Sequence, residues 1–205
     1  MELECTLCQT DGMSEYIARI RIALKDIEPE IWRRAEVPLD LSLKGLHDLI
    51  QAAMAWQDYH LFEFAIDEKV YGLPDPELDH GHKILQAKLA RLETFVAQGV
   101  ETSDYVYDMG DNWQHTITVE AVEPADATQN YPRFVDGARR APPEDVGGVP
   151  GYYEFIDAVS KPRHSEHKRM LEWYGGSHDP NDIDALKLRL RLGTIAKRRH
   201  AGKLA

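Results

Sequence analysis

Residues 107 to 115 read YDMGDNWQH, placing two carboxylates, an amide, an indole and an imidazole around one glycine. Aspartate and histidine held this close can ligate a divalent cation, or the carboxylate can orient the imidazole as a general base. The same residues suit the end of a β-hairpin, where Asp and Asn bond turn amides and Gly takes a positive φ. A four-residue turn would pair Asp108 with Trp113 and Val106 with His115. Strand alternation would then set Asp108, Trp113 and His115 on one face, diagonal neighbours lying about 7 Å apart. Asp111, inside the turn, completes this candidate set.

Four further stretches carry chemistry-bearing residues. WQDYHLFEF brings Asp58, His60 and Glu63 to a helix-to-strand junction, a suitable rim for a pocket, although His60 would also serve as a simple helix cap. Three or more His and carboxylate groups shared between this junction and the hairpin could hold a divalent cation, with His60, Asp108 and His115 as the candidate ligands. PPEDVGGVPGYYEF offers Glu144, Asp145 and glycines at a helix start. Such an N-terminus can hold an anion, but the two acids oppose phosphate, and a packed loop whose acids satisfy backbone donors is the competing reading. DHGH supplies His80 and His82 in an exposed acidic loop. Cys5 and Cys8 are the two cysteines, spaced C-x-x-C; they make half a zinc site and lack the βαβ setting of a redox motif. No phosphate loop or dinucleotide fingerprint occurs, so no cofactor is expected.

The elements that must position these residues are legible from periodicity. YIARIRIAL alternates, with Ala18, Ile20, Ile22 and Leu24 opposite Ile17, Arg19, Arg21 and Ala23, and EIWRRAEV alternates again, with Ile31, Arg33, Ala35 and Val37 opposite Trp32, Arg34 and Glu36. The pair predicts an antiparallel hairpin stopped by Pro38. Ser42 caps a helix whose Leu43, Leu46, Ile50, Ala53 and Met54 recur at helical spacing. HLFEFAI and VYG form a second hairpin, Ile84 to Ala97 reads as a helix, and DYVYD with WQHTITVEAV makes the clearest hairpin. A long irregular stretch follows from residue 123 to 151, then helices over 151 to 160, 165 to 174 and 180 to 192. Hairpins segregated from helices indicate an α+β fold.

Charge is uneven along the chain. The net is -11, yet residues 187 to 205 carry seven Lys or Arg and no acid, leaving 17 basic against 35 acidic residues ahead of them. Such a body repels a phosphate backbone, so nucleic-acid binding would have to use this segment, Lys197, Arg198 and Arg199 above all. A solvated basic terminus is the plainer reading. No run approaches the ~20 apolar residues of a membrane span, and the first residues lack the build of a signal peptide; a cytoplasmic location without membrane contact is expected.

IWRRAEVP, LHDLIQAAMAWQDYHLFEF, VYDMGDNWQHTITVE, YPRFVDGARRAPPEDVGGVPGYYEF and HKRMLEWYGGSHDPNDID, in this order, resemble the plasmid ORF-3-like family first named from an Ri plasmid. The resemblance covers about residues 14 to 192. It implies a single α+β domain with no established activity; some members are labelled as passenger proteins of insertion elements and called resolvase-like. The resolvase label fails on residues. Tyr16 and Arg19 match the first strand of a serine recombinase, but Arg21 stands where the nucleophilic serine belongs, and Ser14 precedes the strand. Without a placed hydroxyl there is no nucleophile. Many members of the family also carry cysteines flanking the PPED segment, where this chain has Ala141 and Val146, so a thiolate site there is ruled out.

The sequence thus predicts one α+β domain, a mainly antiparallel sheet of β-hairpins with packed and C-terminal helices, over residues 14 to 192. A flexible leader would occupy 1 to 13 and a basic tail 193 to 205. The functional surface would combine the 58–63 junction, the 107–115 hairpin and the 142–151 loop in a binding or accessory protein with an unidentified protein or nucleic-acid partner. The alternatives are a metal-assisted hydrolase using His60, Asp108, Asp111 and His115, and nucleic-acid binding through the tail.

Overall fold

Strands β1 (Tyr16–Leu24) and β2 (Trp32–Pro38) form the first antiparallel pair, in a register that joins Ile20 to Ala35 and Ile22 to Arg33. Their inward faces carry Ala18, Ile20, Ile22, Ala35 and Val37, all fully buried. The outward face is an ion-pair lattice. Arg19 bridges Glu36 and Glu123, Arg34 holds Glu120, and the guanidinium groups of Arg21 and Arg34 pack on Trp32, each 5.0 Å from its ring centroid. Arg19 and Arg21 therefore belong to the outer sheet face, as strand alternation predicts.

Helix α1 (Leu43–Met54) starts where the Ser42 hydroxyl accepts the Gly45 amide at 3.1 Å. Its stripe of Leu46, Leu49, Ile50 and Ala53 is buried in the core, each large aliphatic side chain contributing roughly 1.5–3 kcal/mol. The helix ends in a reverse-bonded turn. Ala55, at φ 62°, returns its amide to Ala52 and Trp56 returns its amide to Gln51, the pattern that satisfies terminal carbonyls and aims the chain back toward the sheet.

Strands β3 (Phe62–Ile66), β4 (Lys69–Gly72), β5 (Ile84–Gln86), β6 (Thr102–Tyr107), β7 (Trp113–Pro124) and β8 (Arg133–Ala138) complete an eight-stranded open sheet of order β5-β4-β3-β6-β7-β1-β2-β8. Every pairing is antiparallel except β4 with β5. Helices α2 (Leu92–Ala97), α3 (Gly148–Ser160), α4 (His167–Tyr174) and α5 (Ala185–His200) supply the remaining layers of this α+β domain. The computed structural model describes residues 15–75 and 81–202; the leader with Cys5 and Cys8, and His80, lie outside the described residues. No described helix is long and apolar enough to cross a membrane.

Three expectations change. Ile84 to Ala97 is not one helix: Ile84–Gln86 pairs with the edge of β4, a 3₁₀ turn covers Ala87–Leu89, and α2 has only six residues. Tertiary strand pairing overrides helical spacing there. The irregular stretch contains β8, an edge strand whose Asp136 and Gly137 hide its strand character; a Cβ at Gly137 would stand 2.7 Å from the Trp32 carbonyl. The expected tail from residue 193 is helical through His200. Its helix α5 buries Leu188, Leu192 and Ala196, and Arg199 forms an ion pair with Asp40.

Candidate functional site

The three segments singled out in the sequence do meet. Strand β6 pairs with β7 through Tyr107↔Trp113 and Tyr105↔His115, one residue away from the expected register. The loop therefore has five residues, and its first and last, Asp108 and Asn112, take positive φ values of 57° and 54°. Asp108 has left the strand. Its Oδ1 accepts the amides of Gly110 at 2.9 Å and Asp111 at 3.2 Å, an Asx-type turn. Its Oδ2 lies 3.5 Å from His60 Nε2.

That same His60 nitrogen is 2.7 Å from Asp145 Oδ1. Junction, turn and loop each give one side chain to this contact, and ligand atoms of His60, Asp108 and Asp145 all lie within 4.8 Å of one another. Partial burial works against a charged imidazole, but the Asp145 hydrogen bond and the charges of Asp108, Asp145 and Glu144 outweigh it, raising the pKa of His60 above its ordinary value.

Tyr107 holds the geometry. Its hydroxyl donates to Glu144 and accepts the Tyr59 amide at 3.0 Å and the His60 amide at 3.4 Å, while the second Glu144 oxygen accepts the Gln57 amide at 2.8 Å. Burial first, then the Glu144 hydrogen bond, push the Tyr107 hydroxyl pKa up, so it stays a donor at any physiological pH. Asp111 fastens the far side: its carboxylate accepts the Gly147 amide at 3.0 Å. Its carbonyl sits 2.6 Å from where a Cβ on Gly148 would stand. Gly148 also has φ 67°, so both conformation and space call for glycine there.

The other predicted residues go elsewhere. His115 is fully buried, bonded through Nδ1 to the Trp113 carbonyl at 3.1 Å and set edge-on to Trp56. Burial drives its pKa down to about 3, so it is a neutral core residue, and Asp145 takes the place expected of it beside His60. Trp113 is buried in the same core. Glu63 points to the opposite sheet face, where His82 lies 3.4 Å away. Asp58, at φ 60°, turns from His60 to bond His47 Nε2 at 2.7 Å. Lys197 and Arg198 are exposed on α5, while Arg199 is engaged with Asp40.

Sequence reasoning missed Tyr107, His47 and Arg33. Strand alternation had placed Arg33 with Ile31, Ala35 and Val37, and that was the available signal: Arg33 is 1% exposed. Its Nε donates to the Ala53 carbonyl at 2.9 Å and its Nη1 to Trp32 and Ala138 at 2.8 and 2.9 Å. It forms part of an open groove of about 610 Å³ walled by Trp56, the 141–145 loop, Trp173 and the start of α5. Asp145 and Glu144 stand on both the groove and the His60 cluster.

Fold and site together define an open-sheet α+β protein with a histidine and carboxylate cluster at the rim of a groove. The chain belongs to the plasmid pRiA4b ORF-3-like protein family, which it matches over residues 16–187. It is 38% identical over 165 residues to the uncharacterized protein y4hQ of Sinorhizobium fredii (strain NBRC 101917 / NGR234), covering 80% of this chain and 84% of that one. It also resembles the crystal structure of a protein of unknown function, MM3350, from Methanosarcina mazei Go1. That likeness has a TM-score of 0.78 and 34% identity, over 86% of this chain and 98% of the other.

Proposed function

We propose that this chain is a binding protein whose working surface is the junction of the 58–63, 107–115 and 142–151 segments, and that His60, Asp108 and Asp145 take a divalent cation there. The observation that supports it most is one imidazole nitrogen placed 2.7 and 3.5 Å from two carboxylates on separate segments. A nitrogen with two carboxylate oxygens and open positions suits Zn²⁺ or Mn²⁺. The proton on His60 and the cation compete for one site, so binding releases a proton and strengthens as pH rises through the raised pKa of His60. The cytoplasmic setting is part of this reading, and a link to plasmids or mobile elements rests on the family name alone.

Titration calorimetry with Zn²⁺ and Mn²⁺ in two buffers of different ionisation enthalpy tests it. One cation per chain with proton release is expected, reduced roughly tenfold or more in His60→Ala and Asp145→Asn. Absence of stoichiometric binding, or binding indifferent to both substitutions, defeats the proposal.

A metal-assisted hydrolase is the second reading, favoured by Glu144. Tyr107 and the Gln57 amide each hold one of its oxygens beside the cluster and the groove, and the remaining lone pair on each oxygen can orient a bound water. Turnover of an ester substrate by the cation-loaded protein, lost in Glu144→Gln with cation binding retained, would separate this from simple binding.

A further inference from the structure

The groove beside the cluster carries three acids and three cations, so its formal charge balances, but Arg33 and Lys187 are not paired with its acids. Three acids stand on it, and each is already occupied: Glu144 by Tyr107 and the Gln57 amide, Asp145 by His60, and Asp184 by the Lys187 amide that it caps at 3.4 Å. Of its cations, Arg140 is spent on Asp182 and the Tyr174 hydroxyl. Arg33 and Lys187 form no ion pair with any carboxylate among the described residues.

Arg33 is the unusual one. A guanidinium has five N–H donors, and three are used by the carbonyls of Ala53, Trp32 and Ala138. The Nη2 edge makes no hydrogen bond among the described residues. The negative end of α1, at Ala53, offsets part of the charge. Burial still draws the pKa of Arg33 down to about 10, with the Tyr152 hydroxyl opposing that shift. Tyr152 adds to the deficit, because its own hydroxyl is buried with no partner among the described residues. A buried cation without a counter-charge is costly, and the groove that Arg33 helps to line gives an anion a route to it.

We propose that this groove binds the oxyanion of a small molecule, a phosphate or carboxylate group, on the free edge of Arg33. Lys187 is the second cation at the lip, and the half-exposed indole of Trp173 forms an apolar wall for the rest of the ligand. The site needs no cation on His60, so it is tested on protein stripped of metal and then dialysed free of chelator, where failure of the cation proposal has no effect on it.

Tryptophan fluorescence and calorimetry at low ionic strength, with inorganic phosphate in one arm and malonate in the other, read the binding directly. Chloride at matched ionic strength is the control. Saturable binding of phosphate alone identifies a phosphate-bearing ligand, and of malonate a carboxylate. Arg33→Gln is expected to weaken it roughly tenfold or more, the loss of one charged hydrogen bond, and Lys187→Ala severalfold. Should Arg33→Gln not fold, the Nε–H resonance of Arg33 in the intact protein replaces it and must shift on titration. No saturable binding by either anion, equal binding of chloride, indifference to both substitutions, or a stationary Arg33 resonance overturns the proposal.

Discussion

His47 and His60 each place Nε2 2.7 Å from an aspartate oxygen, Asp58 and Asp145 respectively, yet the two pairs are opposite kinds of object. His47 is fully buried and stacked 3.7 Å from the ring centroid of Phe62. Burial holds its pKa below the ordinary value despite the aspartate. Its neutral ring is saturated: Nε2–H donates to Asp58, and Nδ1 receives the Tyr105 hydroxyl at 2.8 Å. Tyr105 in turn accepts from Gln51, whose oxygen takes the Asp58 amide, closing a ring of bonds. His60 is one-third exposed and shares one nitrogen between two carboxylates. Equal contact distances therefore say little. Closure of the network and access to water decide which aspartate and histidine pair ties a loop to a helix and which is left able to take a ligand.

The largest expected effect lies in the closed network. His47→Ala removes a stacked ring and strands Tyr105 and Asp58, and a stability loss of about 3 kcal/mol is expected by urea denaturation. Tyr105→Phe leaves Nδ1 of His47 without a donor and should cost about 1–3 kcal/mol. Losses under about 0.5 kcal/mol in both variants would show that the ring of bonds does not hold the Trp56–His60 segment, and the contrast with His60 would collapse.

Acid titration separates the two histidines by sign. The folded values of His47 and His115 lie below the ordinary value of about 6.5, so as pH falls the unfolded chain takes up protons first. Stability is lost below about pH 6.5, by up to ~1.4 kcal/mol per pH unit for each group; for His115 the loss continues down to about pH 3. His60 behaves oppositely. Its raised value stabilises the fold fully below the ordinary pKa, and that contribution fades as pH rises through the folded pKa. Unfolding free energy measured from pH 4 to 8 should fall on the acid side, with a shallower fall in His115→Leu. An unchanged acid limb in that variant removes His115 as a cause.

The parts of this picture that were legible in the sequence are those written in local periodicity. Alternation in 16–24 and 31–37 gave two strands and placed Arg33 inward, and the stripe from Leu43 to Met54 gave α1. The three segments that meet at His60 were also recognisable, because each combines turn residues with acids. The register of the 107–115 hairpin was not legible. It turns on Asp108 and Asn112 both accepting positive φ, which lengthens the loop to five residues and exchanges Tyr107 for Asp108 opposite Trp113. That single step set Tyr105 and Tyr107, in place of Val106 and Asp108, beside His115 and Trp113 in the core and brought the Tyr107 hydroxyl to the site. Strand β8 and the docked end of α5 were hidden for a different reason. Both are stabilised by distant partners, Trp32 and Arg33 for Gly137 and Ala138, Asp40 for Arg199, that no local pattern announces.

The smallest effect is the most telling test of the comparison. The shorter of the two contacts of His60 is with Asp145, and both of those side chains are open to water; pairs of that kind contribute about 0–1 kcal/mol. His60→Ala should therefore lower stability by less than about 1 kcal/mol at pH 6, and by less at pH 8, because the contribution of a raised pKa fades as pH rises. The Tyr59 and His60 amides keep their bonds to Tyr107 in this variant, because those bonds are made by backbone. A near-neutral effect on stability, set beside the large loss in His47→Ala, is what a residue held for a ligand rather than for the fold should show. A loss comparable to that of His47→Ala, at both pH values, would instead make the His60, Asp108 and Asp145 contact a structural clasp, joining the turn to the 142–151 loop as Asp111 does.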